Sequence, residues 1–394
     1  MTGRPRRSDC PSCGGSSLAE ILHWPDLPVN AALFPATRTE SLSIPRGSLR
    51  LTVCERCGLV FNADHDESLV EYSPRCIETQ ACSPRSRAFT DALARDWVER
   101  HGLAGGDVVE VGCGPEATFL RALCDLTGGR GIGIDPACDP GTDGNVTLLA
   151  QAFGPRHAEL AGRALVCRHT LEHVPDVGAF LGLVRAWSEA NVGAPVLLEL
   201  PDAGRIFRET AFWDVYYEHC SYFTGESLAT SLGSAGLRPG EVTLAFDGQY
   251  LVGDARPGSD PNGSEGEARE TVAAAKKFGR AATRRIDRAR DALRRLASHG
   301  PVAVWQAGGK ALAVLTLTEI SGEVAAVVDG NPAKRGLYLP GTDRKILGPS
   351  DVAAVRPAHV VVMNAVYVDE VARTVAEAGV EASVVSFESL LEGS

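Results

Sequence analysis

Three groups of residues in this sequence have the types and spacing to do chemistry. The first is Cys10-Pro-Ser-Cys13 together with Cys54-Glu-Arg-Cys57. A Cys-x-x-Cys turn presents two thiolates to one soft cation, and two such turns complete a tetrahedron. Each pair is followed by glycine, which permits the positive φ of a tight knuckle. The 40 residues between the pairs close a loop at modest entropic cost. A structural zinc ion held by Cys10, Cys13, Cys54 and Cys57 is the expected occupant. Four thiolates leave no open coordination position, so the ion is expected to stabilise a small polar segment and to take no part in catalysis. Redox chemistry of the pairs, or cysteines that are there incidentally, are the alternatives.

The second group is VVEVGCGPEATFL, residues Val108–Leu120. It reads as a strand, a glycine loop and a helix. Gly112 and Gly114 let the backbone approach a ligand, and the helix N-terminus favours a ligand carboxylate. Cys113 lies within the loop and Glu110 just before it. The next strand ends GIGIDP, and its Asp135 can take two ribose hydroxyls. Asp135 stands 25 residues after Glu110, against an interval of ~20 in dinucleotide folds. Ala117 breaks the full G-x-G-x-x-G pattern. An E-x-G-x-G loop suits a compact amino-acid zwitterion better than a pyrophosphate, so S-adenosylmethionine is the expected cofactor and NAD the rival. Gln151 and Phe153, after the third strand, are candidates to contact the adenine; a polar loop residue and a core aromatic are the plain alternative. In CRHTLEH (Cys167–His173), Arg168 and His169 would face the same cleft, with Arg168 suited to an anionic group on the acceptor and His169 beside the cofactor. His173 reads more simply as the start of a helix.

The third group is FWDVYYEHCSYF, residues Phe212–Phe223. It follows a strand, and ligands bind beyond the C-terminal ends of strands in α/β sheets. His219 could act as a general base near neutral pH. Glu218 could orient it or charge a partner, and Tyr216 could donate to a developing oxyanion. Tyr222 could contact the acceptor. The same cluster could instead be a satisfied polar core.

These groups need a frame to position them. The chain has 394 residues, enough for two to three domains, with 44% hydrophobic residues. A net charge of −11 argues against a nucleic-acid partner. No apolar run approaches the ~18 residues of a membrane span, so no membrane partner is expected. The basic N-terminus MTGRPRRSDCPSC has no apolar stretch behind it, unlike a secretory signal. The odd total of 11 cysteines fits free thiols in a reducing cytoplasm. Alternating strand and helix patterns run through Asp107–Gly112, Thr118–Leu126, Gly131–Asp135, Val146–Ala150, Ala164–Arg168, Val177–Ala190 and Ala194–Leu200. That is the pattern of a parallel α/β sheet. A helix at Glu226–Ala235 and two runs around an Asp247-Gly248 turn, a hairpin, close it. A Gly/Ser/Pro/Asp linker then leads into a charged helix, Ala268–His299, expected to be a solvated face. Beyond Pro301 a second, smaller α/β unit follows. The expected segments are residues 1–85, 86–256, 257–299 (linker and connecting helix) and 300–394. In the last, Gly308, Gly309 and Lys310 follow a strand. Lys310 is a candidate contact for the acceptor's nucleotide or phosphate; a domain that only walls the cleft is the alternative.

The four-cysteine module, VGCGPEATFL, GIDP, YEHCSYF and the distal DGNPAKRGLYLPGT together resemble the three-domain, zinc-containing sugar C-methyltransferases of antibiotic and O-antigen pathways, as a divergent branch. The resemblance covers nearly the whole chain. It implies an N-terminal zinc-binding domain, a central Rossmann-like class I methyltransferase domain and a C-terminal second Rossmann-like domain. It implies a small-molecule acceptor, a nucleotide-linked 4-keto-deoxysugar. The family's Y-x-E-H motif falls on Tyr216, Glu218 and His219, which implies that His219 removes the proton next to the ketone and the enolate carbon is methylated. A family tyrosine near the first domain junction would be represented in EYSPRCIETQACSPRSRAF by Tyr72 or Glu78. An O- or N-methyltransferase using His219 on a hydroxyl or ammonium is the second reading. A zinc-containing binding module with a dead cofactor fold is the third.

Overall fold

The computed structural model describes residues 6–77, 83–258 and 268–392; Glu78 and most of the linker lie outside the described residues. Three sheets organise the chain. The first begins with strands β1 (Leu18–Pro28), β2 (Arg46–Cys54) and β3 (Val60–Asn62), paired antiparallel. The second takes β4 (Val108–Val111), β5 (Gly131–Ile134), β6 (Gly141–Asp143), β7 (Val146–Leu149), β8 (Ala164–Arg168) and β9 (Val196–Pro201). The chain then returns to the first sheet with β10 (Ser221–Tyr222), which pairs with β3, before β11 (Leu237–Ala245) and β12 (Tyr250–Pro257) complete the second. The third holds β13 (Val302–Trp305), β14 (Ala326–Val328), β15 (Ile346–Leu347), β16 (His359–Val362) and β17 (Ser383–Ser386).

The central sheet runs β11-β12-β9-β8-β4-β5-β7-β6. Its middle strands pair in parallel, and β12 and the edge strand β6 run the other way. This is the parallel α/β fold that the strand–helix alternation predicts, with the Rossmann-like sheet that the resemblance implies. VVEV of β4 is buried at every position, as expected for a strand covered on both faces. The chain moves from β4 to β5 on one side and to β8 on the other. The C-terminal end of β4 is therefore a topological switch point, where a crevice opens between diverging connections. The glycine loop sits at that point. The last sheet, β15-β14-β13-β16-β17, is parallel throughout.

Some elements differ from the sequence reading. Helix Pro84–His101 was not anticipated, although its signals are present: Ser83 caps it, Pro84 opens it, and Gly102 ends it at a φ of 59°. The 31-residue helix Ala268–Ser298 is not only a solvated face. Ala275, Phe278, Ala282, Ile286, Ala289 and Leu293 form a buried stripe. Alanine makes most of that stripe, so its apolar contrast is faint in the sequence. The helix packs on β1, on helix Ala203–Glu209 and on helix Gly309–Thr318. One continuous apolar core thus joins Leu49, Leu51 and Val53 of the first sheet to Phe212, Trp213 and Tyr217, and to Val302, Leu312 and Val327 of the third unit. No described helix is long and apolar enough to cross a membrane.

Candidate active site

The four N-terminal cysteines converge. Cys10 Sγ lies 3.5 Å from Cys57 Sγ, and Cys13 Sγ lies 3.6 Å from Cys54 Sγ. All four sulfurs lie within 4.8 Å of one another. A tetrahedron with metal–sulfur bonds of ~2.3 Å has edges of about 3.8 Å, so the cluster fits zinc. Hydrogen bonds from Cys10 and Cys57 lower the Cys54 thiol from its ordinary range, which favours the thiolate that a soft cation takes. No described cysteine is in a disulfide.

At the switch point, Gly112 has a φ of 73° and Gly114 one of 69°. A Cβ on Gly112 would stand 1.8 Å from Thr170 Oγ1, so only glycine lets the loop pass beneath the turn after β8. The Gly114 N–H donates to Asp135 Oδ2 (2.9 Å) and the Ala137 N–H to Asp135 Oδ1 (2.7 Å). Asp135 thereby ties the glycine loop to the end of β5. Helix Thr118–Thr127 starts at Ala117 with no side-chain cap, leaving its first N–H groups for a ligand carboxylate. Glu110 is buried in β4 and Cys113 is buried within the loop. Burial, with Glu110 and Asp135 nearby, pushes the Cys113 thiol up. After β7, the Gln151 side-chain oxygen lies 2.9 Å from His157 Nε2, and Phe153 stacks on His157 and packs against Phe180. The glycine loop and the uncapped helix N-terminus beside it fit a ligand carboxylate. Gly112→Ala is expected to weaken cofactor binding at least about ten-fold while the protein stays folded, measured by titration calorimetry; unchanged affinity would remove the loop from the site.

The turn after β8 links the loop to the catalytic run. Arg168 Nε donates to Glu199 Oε2 at 2.5 Å, and its guanidinium lies 4.1 Å over the Phe119 ring. His169 Nε2 lies 3.0 Å from Glu199 Oε1. Arg168 is thus balanced by a buried carboxylate of β9. Burial opposes the charge on His169, but Glu199 and Glu172 outweigh it and raise its pKa to about 9. Burial opposes the charge on Glu199 too, yet Arg168 and His169 hold it down at about 2. His169 therefore stabilises the fold fully below its ordinary 6.5 and loses that contribution as pH rises through about 9. Glu199 contributes above its ordinary 4.5 and loses that contribution as pH falls toward 2. Glu199→Gln is expected to lower the melting temperature more at pH 6 than at pH 9.5; an equal loss at both would show that the pair is not coupled.

The candidate catalytic run, Phe212–Phe223, gathers neighbours from the N-terminal and third units. Tyr216 Oη lies 3.0 Å from His219 Nε2. Burial, with His173 and His169 near, drives the His219 pKa well below 6.5, so the imidazole is neutral. Burial holds the Tyr216 hydroxyl well above its ordinary range; it stays protonated and can donate. Glu218 faces away from His219. Its Oε1 accepts from Asn30 Nδ2 (3.1 Å) and from the Ala32 N–H (3.3 Å) of the N-terminal segment. Tyr222 Oη donates to the Tyr216 carbonyl (3.0 Å) and accepts from its N–H (3.2 Å), so it braces the backbone. From the third unit, Gly309 abuts the Tyr216 ring, where a Cβ would come within 2.8 Å. Lys310 Nζ bonds Asp214 Oδ1 at 2.9 Å, and Arg205 also pairs with Asp214, placing Lys310 behind the tyrosine. Tyr72 Oη lies 3.1 Å from His173 Nδ1, which lies 3.0 Å from the Glu218 carbonyl. The His173 and His219 rings are 4.8 Å apart.

The structure therefore brings Tyr72, Tyr216 and His219 together, keeps Glu218 and Tyr222 as supports, and sets Lys310 beyond them. His173, read from the sequence as a helix start, stands inside the cluster. Glu199 was also missed, although a carboxylate within the apolar run VLLELP is a signal. Asn30 carries none, because its partner lies 188 residues away.

A methyltransferase domain model matches residues 85–242. A C-methyltransferase C-terminal domain model matches residues 264–384. The C-methyltransferase NovU of Streptomyces niveus is 25% identical over 392 residues, spanning 92% of this chain and 91% of that protein. Among solved structures, a Burkholderia thailandensis 1,6-didemethyltoxoflavin-N1-methyltransferase with bound S-adenosylhomocysteine is 20% identical, covering 43% of this chain and 79% of that one at a TM-score of 0.33. A magnesium protoporphyrin IX methyltransferase from Synechocystis is 12% identical, covering 44% of this chain and 88% of that one at a TM-score of 0.32.

Proposed function

We propose that this chain, which carries a methyltransferase domain and a C-methyltransferase C-terminal domain, is an S-adenosylmethionine-dependent enzyme that methylates carbon in a nucleotide-linked keto-deoxysugar. The observation that carries the reading is the Tyr216–His219 pair, the histidine buried and the tyrosine partly so, with its neutral imidazole and protonated phenol 3.0 Å apart. His219 Nε2 takes the proton from the carbon next to the ketone. The C–H electrons move into a new C=C bond and the carbonyl oxygen becomes an enolate. Tyr216 Oη, freed from Nε2 by that proton, turns its O–H onto the enolate oxygen.

Gly112, Cys113 and Gly114 would hold the amino-acid end of the cofactor, and Asp135 the ribose. Glu110, buried in β4 just before the loop, would back it. Gln151, Phe153 and His169 would line the remainder. S-adenosylmethionine supplies, when bound, an electrophilic sulfonium methyl for the nucleophilic carbon. Zinc at Cys10, Cys13, Cys54 and Cys57 would lock the first sheet, whose β3 holds β10 beside His219. Tyr72 and Arg168 would line the acceptor side of the crevice, and Lys310 would serve an anionic group only if it released Asp214. The sugar acceptor is supported by the Tyr-x-Glu-His run, and a place in antibiotic deoxysugar biosynthesis by the likeness to NovU. The thiol-rich chain suits the cytoplasm.

The test is a reaction of the purified enzyme with S-adenosylmethionine and a panel of nucleotide-linked 4-keto-sugars. Mass spectrometry reads the added methyl, and NMR its position. A carbon-bound methyl is expected; a methyl on oxygen or nitrogen would overturn the enolate route and leave the cofactor site standing.

A further inference from the structure

Beside the catalytic pair lies a carboxylate that the reaction above does not use. Glu172 is 2% exposed, and neither of its carboxylate oxygens has a hydrogen-bond partner among the described residues. The nearest cationic contact is His169 Nδ1, 3.6 Å from Oε1, beyond hydrogen-bonding distance. His169 shares its charge with Glu199 and gives neither Glu172 oxygen a hydrogen bond, so a buried carboxylate without donors remains beside it, a place where a further cation is favoured.

Two imidazoles stand within reach. Glu172, His173 and His219 each offer a ligand atom, and those atoms lie within 4.8 Å of one another. The Glu218 carbonyl, 3.0 Å from His173 Nδ1, can only accept, and Tyr72 Oη lies 3.1 Å from the same nitrogen; a hydrogen on Nδ1, given to that carbonyl, leaves Nε2 bare. That is the outer hydrogen bond a metal-binding histidine ordinarily makes. Two imidazoles and a carboxylate suit borderline first-row ions, and the set leaves coordination positions open. It differs in kind from the four thiolates of the N-terminal module.

We propose that Glu172, His173 and His219 form a second divalent-cation site, for Zn2+ or Co2+ rather than Mg2+, and that its occupation switches the enzyme off. The switch rests on the reading of His219 as the base; the binding does not. A neutral imidazole that gives one nitrogen to a metal keeps its hydrogen on the other and can no longer accept the substrate proton. Cation and substrate proton compete for the same residue.

The test uses the full-length protein with zinc in its cysteine site, titrated with Co2+ and followed by calorimetry and visible absorption. The expected result is a second equivalent per chain with weak bands and no thiolate charge transfer. Methyl transfer should fall with the same midpoint, and a mild chelator should restore it while one zinc per chain remains. Glu172→Gln should raise the Kd of the second equivalent and the half-inhibiting Co2+ concentration together, at least about ten-fold. Glu172→Asp, which keeps the carboxylate, should show a smaller effect and guards against a misfolded glutamine variant. Only one metal per chain, or a second equivalent indifferent to both substitutions, overturns the site. Binding as described with undiminished turnover overturns the switch and the role of His219 as base, and leaves the cation site.

Discussion

His219→Asn is expected to lower turnover by about 10²- to 10⁴-fold, the usual contribution of a general base, with cofactor affinity nearly unchanged. Asparagine keeps a hydrogen-bonding group beside Tyr216 Oη but has no nitrogen that takes a proton. The cofactor loop touches the turn after β8 through Thr170 and Gly112, not through His219, so binding and chemistry should separate. The pH profile carries the same information. Because the His219 pKa is depressed well below 6.5, its basic form persists as pH falls. The acid limb of kcat/KM should therefore lie below the ordinary histidine range. Steady-state kinetics with cofactor calorimetry check both points. A variant that keeps more than about a tenth of the activity would dismiss His219 as the base.

The second large effect comes from far outside the crevice. Cys54→Ser is expected to release zinc, lower the first melting transition and abolish most turnover. The path is structural. Cys54 ends β2, which pairs with β3, and β3 pairs with β10 at Ser221↔Phe61 and Tyr222↔Val60. Asn30 and the Ala32 N–H hold Glu218, next to His219. Structural zinc contributes on the order of 10 kcal/mol in small modules, comparable to the whole stability of a domain. Losing even ~3 kcal/mol shifts a module of this size by more than about 10 °C. Metal content, calorimetric melting and kinetics on one preparation decide it. Loss of zinc with melting and turnover unchanged would show that the module does not position the catalytic run.

The parts that were legible in the sequence are those written in local signals. Val108–Val111 is an apolar run followed by glycines, and the cysteine pairs announce themselves by spacing. The parts that were not legible depend on distant pairing. Nothing near Ser221 says that it extends a sheet begun at Leu18, because two residues of strand carry no periodicity. Glu218 looked like a partner for the adjacent histidine, yet neighbours along a chain need not face each other, and it turns to Asn30. Lys310 read as an anion contact because Asp214, its partner, lies 96 residues earlier. His173 reads in the sequence as a helix start, and nothing local to it says otherwise. Here Tyr72 and the Glu218 carbonyl fold over it.

The most direct measurement is deuterium exchange at the carbon beside the ketone. A nucleotide-linked 4-keto-sugar would be incubated in heavy water with enzyme, without S-adenosylmethionine, and followed by NMR. The expected result is exchange with the native enzyme and none with His219→Asn. Methyl transfer that proceeds with the α-hydrogen neither exchanged nor lost would contradict the enolate mechanism.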